Sequence, residues 1–345
     1  MSESVGSQPL RIVSMGGGHG LATLLRGLKR YARASDGALE ITAIVTVTDD
    51  GGSSGRLRRD FDVLPPGDIR NCMVALSQDE ALLSRLFDYR FTSGRGLKGH
   101  SFGNLFLTAM THLTGDFAQA VKLSSEVLAV NGRIYPSTAA NVRLEATLAK
   151  GIKVSGETRI SRSTQPIERL TLRPRGARPL KETLDAIASA DLITLGPGSL
   201  YTSVIPHLLV EGIPRALADS PAVKAYFTNL MTQPGETTDM RASDHLAALL
   251  RHTGRGGRRV IDVCVVNTGP IVRKALEQYR VREARPVDND AGNIEVMGVK
   301  VLQADLVRMA GRRIQEKIRH DPGAISAIAI QLARQGRSAK ERLAS

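Results

Sequence analysis

The sequence predicts a doubly wound α/β fold, a mostly parallel sheet with helices on both faces and a smaller α/β section inserted in it. Three observations predict this. Short apolar, β-branched runs recur at 10–15, 41–47, 191–195, 223–228 and 260–266, as strands buried on both faces would. Stretches with apolar positions at helical spacing separate them. Run after run breaks off into a loop rich in glycine and polar side chains, and open α/β sheets bind ligands at the carboxyl ends of their strands.

Size and composition allow that fold. The chain has 345 residues, of which 42% are hydrophobic, enough for a packed core and against wholesale disorder. No apolar run reaches the roughly 18 residues of a membrane span. MSESVGSQPL has no basic region followed by an apolar one, so no secretory signal is expected. The two cysteines, Cys72 and Cys264, lie far apart without metal-ligand spacing. They read as buried free thiols in a reducing cytoplasm. The net charge of +13 is uneven: residues 1–249 carry 28 basic and 24 acidic side chains, residues 250–345 carry 19 and 10. Such asymmetry points to a nucleic acid, an acidic partner or simply a solvated surface. With no Trp and 4% aromatic residues, stacking platforms for single strands are scarce, so nucleic acid is disfavoured.

In chain order, residues 1–9 read as a flexible terminus. The strand at 10–15 runs into Gly16-Gly17-Gly18-His19-Gly20 and then a helix with Leu21, Leu24, Leu25 and Leu28 on one face. This loop is neither the dinucleotide fingerprint, since Leu21 stands where its last glycine belongs, nor a Walker A loop. It remains a glycine-rich helix N-terminus, which favours phosphate. The strand at 41–47 ends in Asp49-Asp50-Gly51-Gly52-Ser53-Ser54-Gly55. Two adjacent carboxylates repel bare phosphate, but they suit a divalent cation or ligand N–H and O–H donors. They also suit an ordinary solvated turn. Asp68, after Pro65-Pro66-Gly67, reads as a helix cap or as a ligand. His100, in a second glycine-dense loop with Ser101 and Asn104, reads as a general base, a phosphate donor or a structural residue. Helices are expected at 81–91, 116–130, 180–189, 242–252 and 271–282, and a small β-rich section at 142–174. The strand at 191–195 leads to Gly196-Pro197-Gly198-Ser199, with Tyr201, Thr202 and Ser203 following. The strand at 223–228 leads to Asn229 and then Met231-Thr232-Gln233. One or two strands are expected near 294–302. Two basic amphipathic helices should follow, one face carrying Val307, Ile314 and Ile318, the other Ile325, Ile328 and Leu332. Their apolar faces should pack on the main domain and leave the basic faces in water.

Taken together, GGGHGL, TVTDDGGSSGRLR, PPGDIRN, GHSFGN, GPGSLYTSV and MTQPGET resemble the bacterial gluconeogenesis factor family. That family is similar to 2-phospho-L-lactate transferase, the enzyme that builds a deazaflavin cofactor. The resemblance runs over about residues 10–300. It implies a Rossmann-like, CofD-like fold at 10–307 with an insertion at about 70–190, a basic helical extension at 308–345, and a cytoplasmic location. It also implies a UDP-sugar ligand such as UDP-N-acetylglucosamine, and roles in carbon flow, cell-wall precursor supply and cell shape. Joined to the residue reading, it makes the ligand-binding set Gly16, Gly17, Gly18, His19, Gly20, Asp49, Asp50, Gly51, Gly52, Ser53, Ser54, Asp68, Asn71, His100, Ser101, Asn104, Gly196, Gly198, Ser199, Thr202, Asn229, Thr232 and Gln233. His19 stands where many members carry threonine.

The expectation is a regulator that binds a nucleotide sugar, acts on a protein partner and forms a homo-oligomer. The competing reading is a transferase of the 2-phospho-L-lactate type, acting on a nucleotide-activated substrate with magnesium at Asp49 and Asp50. No cofactor beyond that magnesium is indicated, and no committed nucleophile is legible.

Overall fold

The computed structural model describes residues 8–34, 38–254, 259–280, 283–308 and 318–344. Most of the loose terminus expected at 1–9, and most of the first basic helix expected between Val307 and Ile318, lie outside the described residues.

The chain opens with β1 (Leu10–Gly16), α1 (Gly18–Ala34) and β2 (Leu39–Val45), a right-sized β-α-β unit. Five helices follow: α2 (Gly52–Phe61), α3 (Gly67–Leu76), α4 (Glu80–Phe87), α5 (Phe102–Thr114) and α6 (Phe117–Val127). Next come β3 (Arg133–Pro136), β4 (Arg143–Leu148), β5 (Lys153–Ser155), the single turn α7 (Glu157–Ile160) and β6 (Ile167–Arg173). The second half alternates: α8 (Lys181–Ser189), β7 (Leu192–Leu195), α9 (Ile205–Leu208), α10 (Ile213–Asp219), β8 (Val223–Phe227), α11 (Ala242–Arg251) and β9 (Val263–Asn267). The chain closes with α12 (Arg273–Arg280), α13 (Ala291–Val296), β10 (Lys300–Ala304) and α14 (Pro322–Ala344).

Seven strands form one sheet in the order β10-β9-β8-β7-β1-β2-β3, parallel at every pairing. The fold is therefore the doubly wound, Rossmann-like α/β sheet. Its central strands are mostly apolar because both faces are covered: Ile12, Val13, Met15, Ala43, Ile44, Val45, Leu192, Ile193, Leu195, Tyr226 and Phe227 are all buried. From β1 the chain builds outward through β2 and β3, then returns to place β7 on the other side of β1. The order reverses between β1 and β7, which makes that point the switch where such sheets open a crevice.

The separate β section is a three-stranded antiparallel sheet, β5-β4-β6. It spans 143–173, whereas β3 belongs to the main sheet through β2. The loop reading of 51–55 changes: Gly51 caps α2, so the glycine–serine run is the start of a helix. The basic end of the chain changes too. Val307 does not share a helical face with Ile318, but forms an antiparallel bridge with His320. From Pro322 a single helix runs to Ala344. Its apolar residues Ile325, Ala329, Ile330, Leu332 and Ala333 are buried against the sheet. Arg337 and Lys340 are not simply left in water; half-buried, both pair with the buried carboxylate of Asp191.

Candidate functional site

A cleft of about 470 Å³ opens over the carboxyl ends of the strands at the switch point. The loop after β1 supplies one wall with Gly17, Gly18, His19 and Gly20; the loop after β7 supplies another with Pro197, Gly198 and Ser199. These loops touch because residue 20 is glycine. A Cβ there would overlap the Pro197 carbonyl, so no other side chain lets the two halves of the sheet meet so closely. The N-terminus of α1 lies at the cleft, with Gly18, His19 and Gly20 of its first turn in the lining, the end of a helix that favours negative charge.

The floor is acidic. Asp68 is half-buried, accepts the Gly18 N–H, and lies 3.4 Å from the Thr46 hydroxyl. It does not cap α3, whose N-cap is Pro66. Burial, then the nearby charge of Asp49, pushes its carboxyl up to about 7. Glu157 is pushed above the carboxylate range by burial first and Asp49 second, and its protonated form donates to Asp49. The acidic pair read from sequence is thus split. Asp49 lines the cleft and accepts the Gly51 N–H at 2.8 Å. Asp50 turns away to accept the Thr158 N–H at 2.9 Å and its hydroxyl at 2.7 Å. Those two bonds anchor α7 and so carry its neighbour Glu157 to the cleft. Gly156 permits the approach: its φ is +99°, and a Cβ would run into the Asp50 carboxylate.

The far wall comes from the loop after β8. Gln233 donates to the Ser199 hydroxyl at 2.9 Å, which ties this wall to the glycine loop. The Asn229 amide nitrogen and the Gln233 amide oxygen are buried without a protein partner, although both residues line the cleft. A donor and an acceptor held bare in one wall are unmade hydrogen bonds awaiting a ligand. Thr232 lines the cleft too, while its hydroxyl accepts the Arg285 N–H. His320 sits on the rim, held neutral by burial, which lowers its pKa to about 4, and it donates to the Thr228 carbonyl.

Of the residues selected from sequence, the cleft brings together Gly17, Gly18, His19, Gly20, Asp49, Asp68, Gly198, Ser199, Asn229, Thr232 and Gln233. The others stand behind it. Gly16 ends β1 and Gly196 directly follows β7, and the Gly16 carbonyl accepts from His207. Gly51 and Gly52 begin α2. Ser53 bonds His100 Nδ1 at 3.0 Å, and Ser54 accepts from Asn104. The Arg70 guanidinium gathers Asn71, Ser101 and Asn104. This network fastens α2, α3 and α5 together under the acidic floor. Thr202 donates to the buried Glu236.

Sequence reasoning missed Thr23, Glu157, Ser203, Tyr279, Arg319 and His320, which also line the cleft. Glu157 sits in the antiparallel section, and Arg319 and His320 follow the last motif. Of the six, Ser203 alone belongs to a glycine-rich junction, the one that follows β7; the others carry no such signal. Among the described residues, no three His, Cys, Asp or Glu side chains are grouped to hold a metal, and no helix is long and apolar enough to cross a membrane.

The family model described as 2-phospho-L-lactate transferase CofD matches residues 12–307. The chain is 45% identical over 331 residues to the protein named gluconeogenesis factor of Bacillus subtilis, covering 96% of this chain and 100% of that one. A protein of the same name from Halalkalibacterium halodurans is 45% identical over 314 residues, covering 89% and 95%. A crystal structure of a Bacillus halodurans protein superposes with a TM-score of 0.87 at 43% identity, covering 94% of this chain and 100% of that one. A second, described as a member of the UPF0052 family, gives 0.86. With matches of this strength across nearly its whole length, the chain belongs to the CofD family, alongside bacterial proteins named gluconeogenesis factor.

Proposed function

We propose that the cleft binds a nucleoside diphosphate sugar of the UDP-sugar class, and that the protein is a cytoplasmic regulator of carbon flow toward cell-wall precursors. The observation that carries the ligand class is the pair of bare amide atoms on Asn229 and Gln233, facing the N–H-rich glycine loops across one cleft. The amides suit the donor-and-acceptor edge of a base, and the loops suit a diphosphate. Sugar hydroxyls donate to carboxylates, which gives Asp49 and Asp68 a role without a metal. The names of the relatives support the regulatory side of the reading, and both cysteines are buried and unpaired, as a reducing compartment allows. Calorimetry with UDP-N-acetylglucosamine and UDP-glucose tests the proposal. Binding of either supports it; no heat from either at millimolar ligand, with folded protein, overturns it.

The acidic floor favours one second reading, a transferase. Two carboxyls with raised pKa values beside Asp49 are relieved by a cation as well as by protons. Magnesium needs only one or two carboxylates when substrate phosphates complete its shell, and Asp49 and Asp68 would hold it. Bound there, it would supply charge stabilisation on a leaving nucleotide. On this reading the glycine-loop N–H groups orient the diphosphate, and Asp68 would hold magnesium as its ionised carboxylate. Asp49→Asn then abolishes both turnover and magnesium-dependent binding. On the first reading the same change weakens binding equally with and without magnesium.

A further inference from the structure

The small antiparallel sheet carries a second concave site. A cleft of about 510 Å³ lies between its outer face, the edge of β6 and the end of α11, and shares no lining residue with the first. Five cationic side chains line it, Lys153, Arg169, Arg173, Arg175 and Arg251, against one carboxylate, Glu145.

The placement follows from the strands. Leu144, Ala146, Leu148, Leu170 and Leu172 point inward and are buried. The alternate residues Glu145, Thr147, Arg169, Thr171 and Arg173 therefore point outward. Thr147 pairs with Lys153 on one side and Arg169 on the other, so the two cations flank it on one rung, roughly 10 Å apart at the backbone. Arg251 enters from the other element. His252, beside it, donates from Nδ1 to the Ala248 carbonyl and accepts the Leu170 N–H on Nε2 at 3.0 Å. That bridge bolts α11 to the edge of β6 and brings Arg251 to Arg169. Burial, then the charges of Arg251 and Arg169, lower the His252 pKa, so the bolt is a neutral imidazole.

The positive charge is nearly uncompensated. Glu145 pairs with Arg173, which donates to it at 2.9 Å, and the charges of Lys153 and Arg175 also act on it, so one carboxylate is shared among three cations. Lys153, Arg169, Arg175 and Arg251 form no ion pair among the described residues. All four are exposed, so water screens their mutual repulsion, but an anion with several negative oxygens can engage more than one of them at once in a concave site that focuses their field. Guanidinium groups match phosphate with paired N–H donors. The hollow has the volume of a small-molecule site. An extended peptide finds less to use, because His252 takes the Leu170 N–H and Tyr201 reaches the Ile167 carbonyl along the same edge.

We propose that this cleft binds a small anion bearing two or more phosphate groups, at a site separate from the nucleotide cleft. The proposal does not depend on what the first cleft binds. Calorimetry of the full chain with inorganic tripolyphosphate tests it, in the wild type, in Arg169→Glu/Arg251→Glu, and in Arg85→Glu/Lys122→Glu, which makes the same charge change at exposed residues elsewhere. The expected result is loss of affinity by about tenfold or more in the first variant, the scale of one charge-assisted hydrogen bond, with little change in the second. Unaltered UDP-sugar binding by the first variant is also expected, and shows that the two clefts are distinct. No binding by the wild type, equal loss in both variants, or full affinity in Arg169→Glu/Arg251→Glu would overturn the proposal. Tighter binding of single-stranded RNA than of tripolyphosphate, lost in the same variant, would assign the surface to nucleic acid instead.

Discussion

At the scale of single residues, the cleft rests on what Gly20 and Asp68 allow. A Cβ on Gly20 would run into the backbone of Pro197 and Gly198, and backbone does not swing aside as a long side chain does. Gly20→Ala should cost about 1–3 kcal/mol, measured by urea denaturation, and should also weaken nucleotide binding by parting the two glycine loops. Wild-type stability and affinity in this variant would show that the loops need not touch. Asp68 titrates at about 7 in the fold against 3.8 for an unperturbed carboxyl. Between those values the folded protein holds a proton that the unfolded chain has released. The stability this contributes is complete below the lower value and is lost as pH rises through 7. Asp68→Asn should therefore flatten that part of the stability–pH curve, and an unchanged slope between pH 4 and 7 would assign the effect elsewhere. The same ionisation places a negative charge beside the α1 N-terminus, so metal-free affinity for a diphosphate should fall as pH passes about 7 in the wild type but not in the variant. Much of this was legible in sequence, since glycines and polar residues after a buried strand mark where a backbone can meet a ligand. The direction each carboxylate faces was not. Asp49 and Asp50 are adjacent and chemically alike, and only Thr158, brought back by the antiparallel section, draws one of them away.

At the scale of elements, periodicity located most strands and helices, because burial on one face or two leaves a repeat in the sequence. It failed at 51–55, where glycine and serine suggest a loop although a helix begins there, and at Val307, whose spacing to Ile318 is helical by coincidence. It was also silent on what the basic residues of α14 do. Asp191 is 1% exposed at the amino end of β7, and receives Arg337 at 2.6 Å, Lys340 at 3.0 Å and the Arg11 N–H at 2.9 Å. Burial pushes its carboxyl up, but those bonds outweigh it and hold the pKa below the usual range. Its share of stability is therefore present at neutral pH and lost as pH falls below the ordinary carboxylate range. Gly336 lets the helix lie against the strand, since a Cβ there would overlap the Asp191 carbonyl. Arg337→Met should lower stability by about 1–3 kcal/mol, the worth of hydrogen bonds to a charged group. Removing residues 334–345 should cost more, because it strips both cations from a carboxylate that stays buried. An Arg337→Met protein as stable as the wild type would mean that Lys340 suffices.

At the scale of the whole molecule, the two halves of the sheet meet at both ends of β1 and β7, and differently at each. At the amino ends α14 clamps Asp191. At the carboxyl ends the glycine loops and the Asn229–Gln233 wall face one another across a cleft. A ligand there bridges both halves and binds only the folded chain, so it should stabilise the protein by about 2.7 kcal/mol at a concentration of 100 times Kd. An unfolding entropy of about 2.1 cal/mol/K per residue, summed over 345 residues, makes that a rise in Tm of about 4 °C. The clamp and the cleft lie at opposite ends of the strands and share no partner, so their effects should add. Arg337→Met should begin from a lower Tm and rise by the same increment with UDP-sugar. Gly20→Ala should begin lower and rise by less. A reduced increment in Arg337→Met, measured by thermal shift at saturating ligand, would show instead that the C-terminal helix reports to the cleft through the sheet.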